Sequence, residues 1–198
     1  MNDQYPDEQQ ASGRILIDLF TSLDGVAQGP GGTDEDTSGG FRFSGWQAGY
    51  PSTGVGPEIE KGMRGLDALL LGRRTYDIFA SYWPHHTEGE SGDIGTLFNR
   101  VPKYVATRDA DLALDWDGST RVGADLAAET ATMRAAHREV HVIGSIDFVH
   151  TLLAEGLFDE QTCGCIRCCS VPARRCSTTT RCRACCACWR RRSRMRRA

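Results

Sequence analysis

All nine cysteines of this chain lie beyond Gln161, at Cys163, Cys165, Cys168, Cys169, Cys176, Cys182, Cys185, Cys186 and Cys188. Charge divides at the same place. Residues 1–161 carry 12 Lys and Arg against 26 Asp and Glu, a net charge of −14. Residues 162–198 carry 11 Arg and no acid, so the overall −3 describes neither part. Any core must therefore be built by the first part. The expected organisation is a loose leader over residues 1–13, a folded domain over 14–161, and a Cys- and Arg-rich tail over 162–198. An acidic body argues against nucleic acid as a partner, because phosphate contacts need Lys and Arg. No stretch approaches the roughly 18 apolar residues of a membrane span, and the polar, acidic start does not read as a signal peptide. A cytoplasmic protein without a membrane partner is expected.

Within the body, strand and helix signals alternate. Ile15-Leu16-Ile17-Asp18-Leu19-Phe20 is a short, β-prone apolar run. Residues 28–40 are Gly, Pro, Thr and acid, and read as a loop. Phe41, Phe43, Trp46 and Tyr50 follow among glycines, where they either line a pocket or plug the edge of the core. Residues 57–64 predict a short helix, with Pro57 near its start and Glu58 and Glu60 in its first turns, as the helix dipole prefers. A second buried strand covers Asp67-Ala68-Leu69-Leu70-Leu71. A helix then starts at Gly72-Arg73-Arg74-Thr75, carries Tyr76, Ile78, Phe79 and Tyr82 at helical spacing, and stops before Pro84. Lys103-Tyr104-Val105-Ala106-Thr107 is a third strand, and Leu112-Ala113-Leu114 and Thr120-Arg121-Val122 are short strand candidates. Asp125 caps a helix reaching about His137. Val140-His141-Val142-Ile143 forms another strand, and a helix from about Asp147 stops at Gly156. This alternation predicts an α/β domain with a mostly parallel sheet flanked by helices.

Open sheets of this kind bind ligands outside the carboxyl ends of their strands. Gly72, Arg73, Arg74 and Thr75 put guanidinium groups, a hydroxyl and amides at a helix start, which suits phosphate. Thr107 and Arg108 end the third strand with another hydroxyl and cation. Gly144 and Ser145 precede a helix start, where unpaired N–H groups suit a pyrophosphate. Each has an ordinary alternative, a solvated arginine or a turn. Three such groups on successive strand ends point together to a phosphorylated cofactor. His85 and His86 lack a third ligand, and no metal is expected in the body.

The succession Ser22-Leu23-Asp24-Gly25, Gly72-Arg73-Arg74-Thr75-Tyr76, Lys103-Tyr104-Val105-Ala106-Thr107-Arg108, Val142-Ile143-Gly144-Ser145 and Gly156-Leu157-Phe158-Asp159-Glu160 resembles the dihydrofolate-reductase-like family. That family includes the reductase domain of the bifunctional riboflavin-biosynthesis deaminase-reductase. The resemblance implies the dihydrofolate-reductase fold and an NADPH-dependent reductase of a small molecule. It implies that Gly72, Arg73, Arg74 and Thr75 hold the cofactor's phosphates and that Thr107 and Arg108 lie near the adenosine ribose. There Arg108 would select the 2′-phosphate. Gly144, Ser145 and Ile146 would face the pyrophosphate. Asp24 and Gly25 would border the nicotinamide and substrate, with Asp24 gripping or protonating the substrate and Trp46 beside it. Asp24 is equally what an Asp-Gly turn selects. Dihydrofolate, a riboflavin-pathway aminouracil and another carbonyl compound all remain open as substrates. A homodimer also fits the resemblance.

The family continues after Gly-Leu-Phe-Asp-Glu into an apolar strand, a His-Pro-like step, a Leu-Gly-x-Gly turn and a Leu-Phe-Asp-like segment, which supply the last strands of the sheet. Here that ending is missing. Cys165-x2-Cys168 and Cys182-x2-Cys185 have zinc-ligand spacing, but almost no apolar residue accompanies them. The arginines suit a basic arm, which leaves the cysteines without purpose. A third reading comes from the genetic code. With third codon positions mostly G or C, each third base is regrouped with the next two. From Gly164 onward the tail then becomes W-V-H-P-V-L-L-G-P-G-A-A-V-F-D-D-D-A-V-P-G-V-L-R-L-L-E. The missing ending reappears in order, so the expectation is a base gained or lost near Gln161. Sequencing an independent clone across that codon is expected to reveal the shift, and an intact frame encoding these cysteines would refute it. Each large core side chain left uncovered forfeits roughly 1.5–3 kcal/mol, against a total stability of about 5–15 kcal/mol. The 198-residue chain is therefore expected to be unstable or inactive, and soluble, cooperative unfolding would contradict that.

Overall fold

In the first strand, Ile15, Ile17 and Leu19 alternate with Leu16, Asp18 and Phe20, and alternation along a strand sends the two sets to opposite faces. The computed structural model, which describes residues 12–22, 24–48, 56–89, 92–166 and 193–194, places this run in β1 (Arg14–Ser22). β1 is followed by α1 (Gly56–Met63), β2 (Ala68–Gly72), α2 (Arg73–Tyr82), a 3-10 turn at Trp83–His85, and α3 (Gly92–Arg100). Then come β3 (Lys103–Ala106), β4 (Ser119–Val122), α4 (Leu126–Ala136), β5 (Glu139–Ile143), α5 (Ile146–Glu155), β6 (Glu160–Ile166) and the two-residue β7 (Ser193–Arg194). The sheet order is β4-β3-β2-β5-β1-β6-β7. The first six strands of that order are parallel, and β7 is antiparallel to β6. This is the expected α/β sheet flanked by helices.

Each face of the sheet has its own core. On one, Ile15, Ile17, Leu19, Leu70, Val140 and Val142 pack with Met133 of α4 and with Val149 and Leu152 of α5. On the other, Leu69, Leu71, Val105 and Ile143 pack with Tyr76 of α2 and Phe98 of α3, and Met63 of α1 closes on them. β1 is pinned at its start. Asp159 Oδ2 accepts from the Ile15 amide at 2.8 Å and from Arg134 of α4 at 2.7 and 3.0 Å, and the Asp159 amide donates back to Ile15 at 2.9 Å. Gly156, left-handed at φ 67°, caps α5 and turns the chain towards this contact.

Three differences from the sequence reading have local causes. Leu112-Ala113-Leu114 forms no strand; Leu112 and Leu114 instead lie partly buried against the second core. α3 has no counterpart among the expected elements. Its Gly92 and Gly95 lower helix propensity, but both are buried, and a Cβ on Gly95 would collide with the His86 carbonyl. Finally, the compositional break at Gln161 falls inside β6. That strand pairs with β1 from Leu16–Glu160 to Ser22–Ile166, so the boundary expected at 161 is not the end of an element. Cys163 packs against the first core. Tyr50, the Cys168, Cys182 and Cys185 positions of the zinc spacing, and the run Arg190-Arg191-Arg192 lie outside the described residues.

Lys103 is buried, and among the described residues its ammonium forms no ion pair. Its ammonium donates to the Asn99 and Asp117 carbonyls at 2.8 and 2.9 Å and lies 4.5 Å from the centre of the Trp116 ring. Burial pulls its pKa below the usual 10.5, and Asp117 only partly offsets this. The folded state therefore releases this proton before the unfolded state does, and the Lys103 contribution to stability rises with pH between the lowered pKa and 10.5. Tyr104, whose pKa burial raises above 10.0, contributes in the opposite direction. In urea unfolding across the alkaline range, the stability difference between the parent chain and Lys103→Met should shift in favour of the parent as pH rises.

Candidate functional site

Parallel strands end on one edge, and the helices that follow them begin there. A cleft of about 1650 Å3 opens along that edge. Its walls include Gly72, Arg73, Arg74 and Thr75 after β2, Thr107 and Arg108 after β3, and Gly144, Ser145 and Ile146 after β5. The three adjacent strand ends singled out in the sequence thus meet in one cavity. The N-termini of α2 and α5 both open there, and neither carries a side-chain cap. Such ends attract anions through their unpaired N–H groups and the helix dipole.

Not every amide at these ends is available. The Gly72 amide donates to Ser145 Oγ at 3.0 Å, and the Ser145 amide donates to Thr75 Oγ1 at 3.0 Å. A phosphate must therefore be met by the amides that follow, within the first turns. The cations differ as well. Arg73 pairs with Asp77 at 3.3 Å, and Arg74 pairs with Asp36 at 3.6 Å while donating to Ser38 Oγ at 3.1 Å. Arg108 is exposed. Burial opposes ionisation of Asp36, but the Ser38 hydroxyl and amide, the Gln28 amide and Arg74 outweigh it, so its pKa lies below 3.8. Thr107 Oγ1 is engaged locally, accepting from the Asp109 amide at 3.0 Å.

Other residues in the cleft were not anticipated. Residues 29–36 of the Gly-rich loop form part of its wall, as do Gly123 after β4 and Asp147 in the first turn of α5. Gly123 had a signal, since it follows a short strand candidate just as Gly144 follows β5. The loop had none beyond its composition. The cleft lining also has an apolar and aromatic part, with Phe20, Ile59, Met63, Ile78, Phe79, Tyr82 and Trp83.

The expected substrate residues are placed elsewhere. Asp24, Gly25 and Trp46 are not among the described residues that line the cleft. Ser22 Oγ donates to Asp24 Oδ1 at 2.6 Å and accepts from the Val26 amide at 2.9 Å, while Gly25 takes φ 85°. Asp24 is thus held in a tight turn after β1. Trp46 donates to the Gln28 carbonyl at 2.8 Å and packs with Val26 and Phe41, so Phe41 and Trp46 plug an edge of the core. Glu60 is exposed on α1 outside the cleft, and His86 stacks on Tyr82. Among the described residues no group of three His, Cys, Asp or Glu is placed to hold a metal, and no helix is long and apolar enough to cross a membrane.

In sequence, residues 14–166 match the RibD C-terminal domain. The chain belongs to that family. It is a family of NADPH-dependent reductases. Among solved structures, the RibD C-terminal domain of this chain resembles a protein from Shewanella sp. PV-4 assigned to riboflavin biosynthesis. That likeness has a TM-score of 0.54 and 19% identity, covering 79% of this chain and 78% of that one. It also resembles dihydrofolate reductase from Enterococcus faecalis, solved with NADP(H) and RAB-propyl, with a TM-score of 0.50 and 14% identity over 83% of this chain and 76% of that one. At these identities the likeness speaks for a shared dihydrofolate-reductase-like fold. No curated protein matches this RibD-family chain in sequence.

The residues of this domain fit the cofactor class of the family. Two uncapped helix starts, three arginines and a cleft larger than the roughly 300–1,000 Å3 of an ordinary ligand pocket leave room for a dinucleotide beside a second molecule. Gly144 sets the backbone there. It takes φ 61°, and a Cβ would come no closer than 3.7 Å to Thr75, so the conformation rather than space demands glycine. Gly144→Ala should cost about 1–2 kcal/mol in denaturant unfolding.

Proposed function

We propose that this chain is built as an NADPH-dependent reductase of the pyrimidine-reductase type, acting on a 5-amino-6-(5-phosphoribosylamino)uracil-like heterocycle. The observation that carries this is the meeting of Gly72-Arg73-Arg74-Thr75, Thr107-Arg108 and Gly144-Ser145-Ile146 in one cleft whose lining also includes apolar and aromatic side chains. Membership of the RibD C-terminal domain family supports the reaction class. When bound, the cofactor supplies the hydride, and the protein supplies binding, orientation and electrostatics.

In this reading the first turns of α2 and α5 hold the pyrophosphate, with Arg73 and Arg74 beside it. Arg108, exposed at the end of β3, takes the 2′-phosphate, where a charge-assisted hydrogen bond is among the stronger polar contacts. Phe79, Tyr82 and Trp83 offer ring faces to a planar heterocycle, and Ile59 and Met63 close over it. The turn that holds Asp24 makes it a support for the end of β1, and a proton for the reduced product then comes from water admitted to the cleft. The substrate is a small molecule, and the site requires neither nucleic acid nor membrane. A homodimer is compatible with it.

NADPH should bind the full 198-residue chain, read by cofactor fluorescence, because the residues assigned to it all precede Gln161. Absorbance at 340 nm should fall on addition of the aminouracil in a chain whose reading frame after Gln161 is restored. Binding without oxidation would favour a nucleotide-binding protein that reduces nothing. Stoichiometric zinc by elemental analysis would instead favour a metal module in the tail. Arg108→Gln should lower the preference for NADPH over NADH about tenfold, the equivalent of 1.4 kcal/mol, in paired titrations of the two cofactors. An unchanged preference would remove Arg108 from the 2′-phosphate.

A further inference from the structure

Ser145 is the one non-glycine residue with positive φ among the described residues, at φ 52° and ψ 45°. A side chain in the left-handed region is costly, and glycine is the usual solution. Glycine already stands next door at position 144, so a second glycine would have met the backbone need without strain. Strain that persists points to something the side chain does. Here the hydroxyl accepts from the Gly72 amide at 3.0 Å and reaches the Ile143 carbonyl at 3.3 Å, while the Ser145 amide donates to Thr75 Oγ1 at 3.0 Å. Gly72 is the N-cap of α2, Thr75 is in its first turn, and Ser145 is the N-cap of α5. The two helix starts that border the cleft are therefore stitched together in both directions. Close packing completes the contact, since a Cβ on Gly72 would lie 3.1 Å from Phe148 Cβ and 3.4 Å from Ser145 Cβ.

We propose that Ser145 is a positioning residue: its hydroxyl locks the first turns of α2 and α5 into one rigid cradle, so that both meet the anionic part of the cofactor at a fixed spacing. The role is indirect. The Ser145 amide and hydroxyl are spent on Thr75, Gly72 and Ile143, and the hydroxyl acts by holding the amides and arginines that follow. Preorganisation of this kind improves affinity by removing the cost of ordering on binding. The inference rests on the NADPH reading for its ligand, but the lock itself does not.

Two variants separate positioning from stability. Ser145→Ala removes the hydroxyl and keeps a strained side chain. Ser145→Gly removes the hydroxyl and the strain together. Both should weaken NADPH binding about tenfold, within reach of one lost ordering contact, and both should speed amide exchange at Gly72 in NMR. Ser145→Gly should do so with a melting temperature equal to or above that of the parent. A merely structural serine would not divide affinity from stability in this way. Parent-like NADPH affinity in Ser145→Gly, or unchanged exchange at Gly72 in both variants, overturns the proposal. If the parent chain binds no NADPH, the functional reading fails, and Gly72 exchange alone then decides for or against the lock.

Discussion

β1 is hydrogen-bonded along one side to β5 and along the other to β6, both parallel to it. The rest of the domain is arranged by that pairing. A strand held on both sides cannot slide, because a one-residue slip would turn Ile15, Ile17 and Leu19 out of their core. Charged groups reinforce the same register. Arg14 pairs with Glu139 of β5 and lies 3.5 Å from Glu160 of β6, and buried His141 places Nδ1 2.6 Å from Asp18. With the strands fixed in length and register, their C-terminal ends are level, and the turns after β2, β3 and β5 are obliged to share one edge. The cleft is a geometric result of the pairing, and side chains at the turns give it its charge.

The elements legible in the sequence are those whose signals are local. β1 and β2 announced themselves by apolar runs, α4 by Asp125, whose carboxylate accepts from the Ala128 amide at 3.0 Å, and α5 by its terminal Gly156. The strand-end residues Gly72 to Thr75, Thr107, Arg108 and Gly144 to Ile146 were legible because parallel topology gives strand ends a common destination. What escaped depends on distant partners. α3 tolerates Gly92 and Gly95 because another segment presses on them, and the loop over residues 29–36 joins the cleft wall through contacts with Arg74 that no spacing reveals. Asp24 and Trp46 resemble site residues by type and position; they are hydrogen-bonded to Ser22 and to the Gln28 carbonyl and are not among the described residues lining the cleft. The continuation of β6 through Ile166 escaped for another reason. Strand pairing is carried by the main chain, so residues unlike those expected there can still extend a ladder.

Two of the three arginines that line the cleft are paired before any ligand arrives. Arg73 and Arg74 each have a carboxylate of this same chain, Asp77 and Asp36. Arg73 and Asp77 are both exposed, and a pair of that sort contributes about 0–1 kcal/mol, so a phosphate can displace it at little cost, whereas the Asp36 side chain is mostly buried. Asp36 also organises its loop by accepting from the Ser38 amide at 3.0 Å, and Gln28 donates to the Ser38 carbonyl at 2.9 Å. Exchange of partners at Arg74 would therefore be felt by the loop wall as well as by the ligand.

Gly13 sits at the opposite edge of the sheet. Its amide donates to the Arg134 carbonyl at 2.9 Å, and a Cβ there would run into the His137 carbonyl at the end of α4. The chain thus enters the domain through a slot that only glycine fits, at the strand-start edge, a full strand length away from the arginines. An affinity handle joined directly at Gly13 would leave the domain at that far edge. It can be left in place during cofactor titrations, and it offers a point for tethering the protein to a surface with the cleft facing solution.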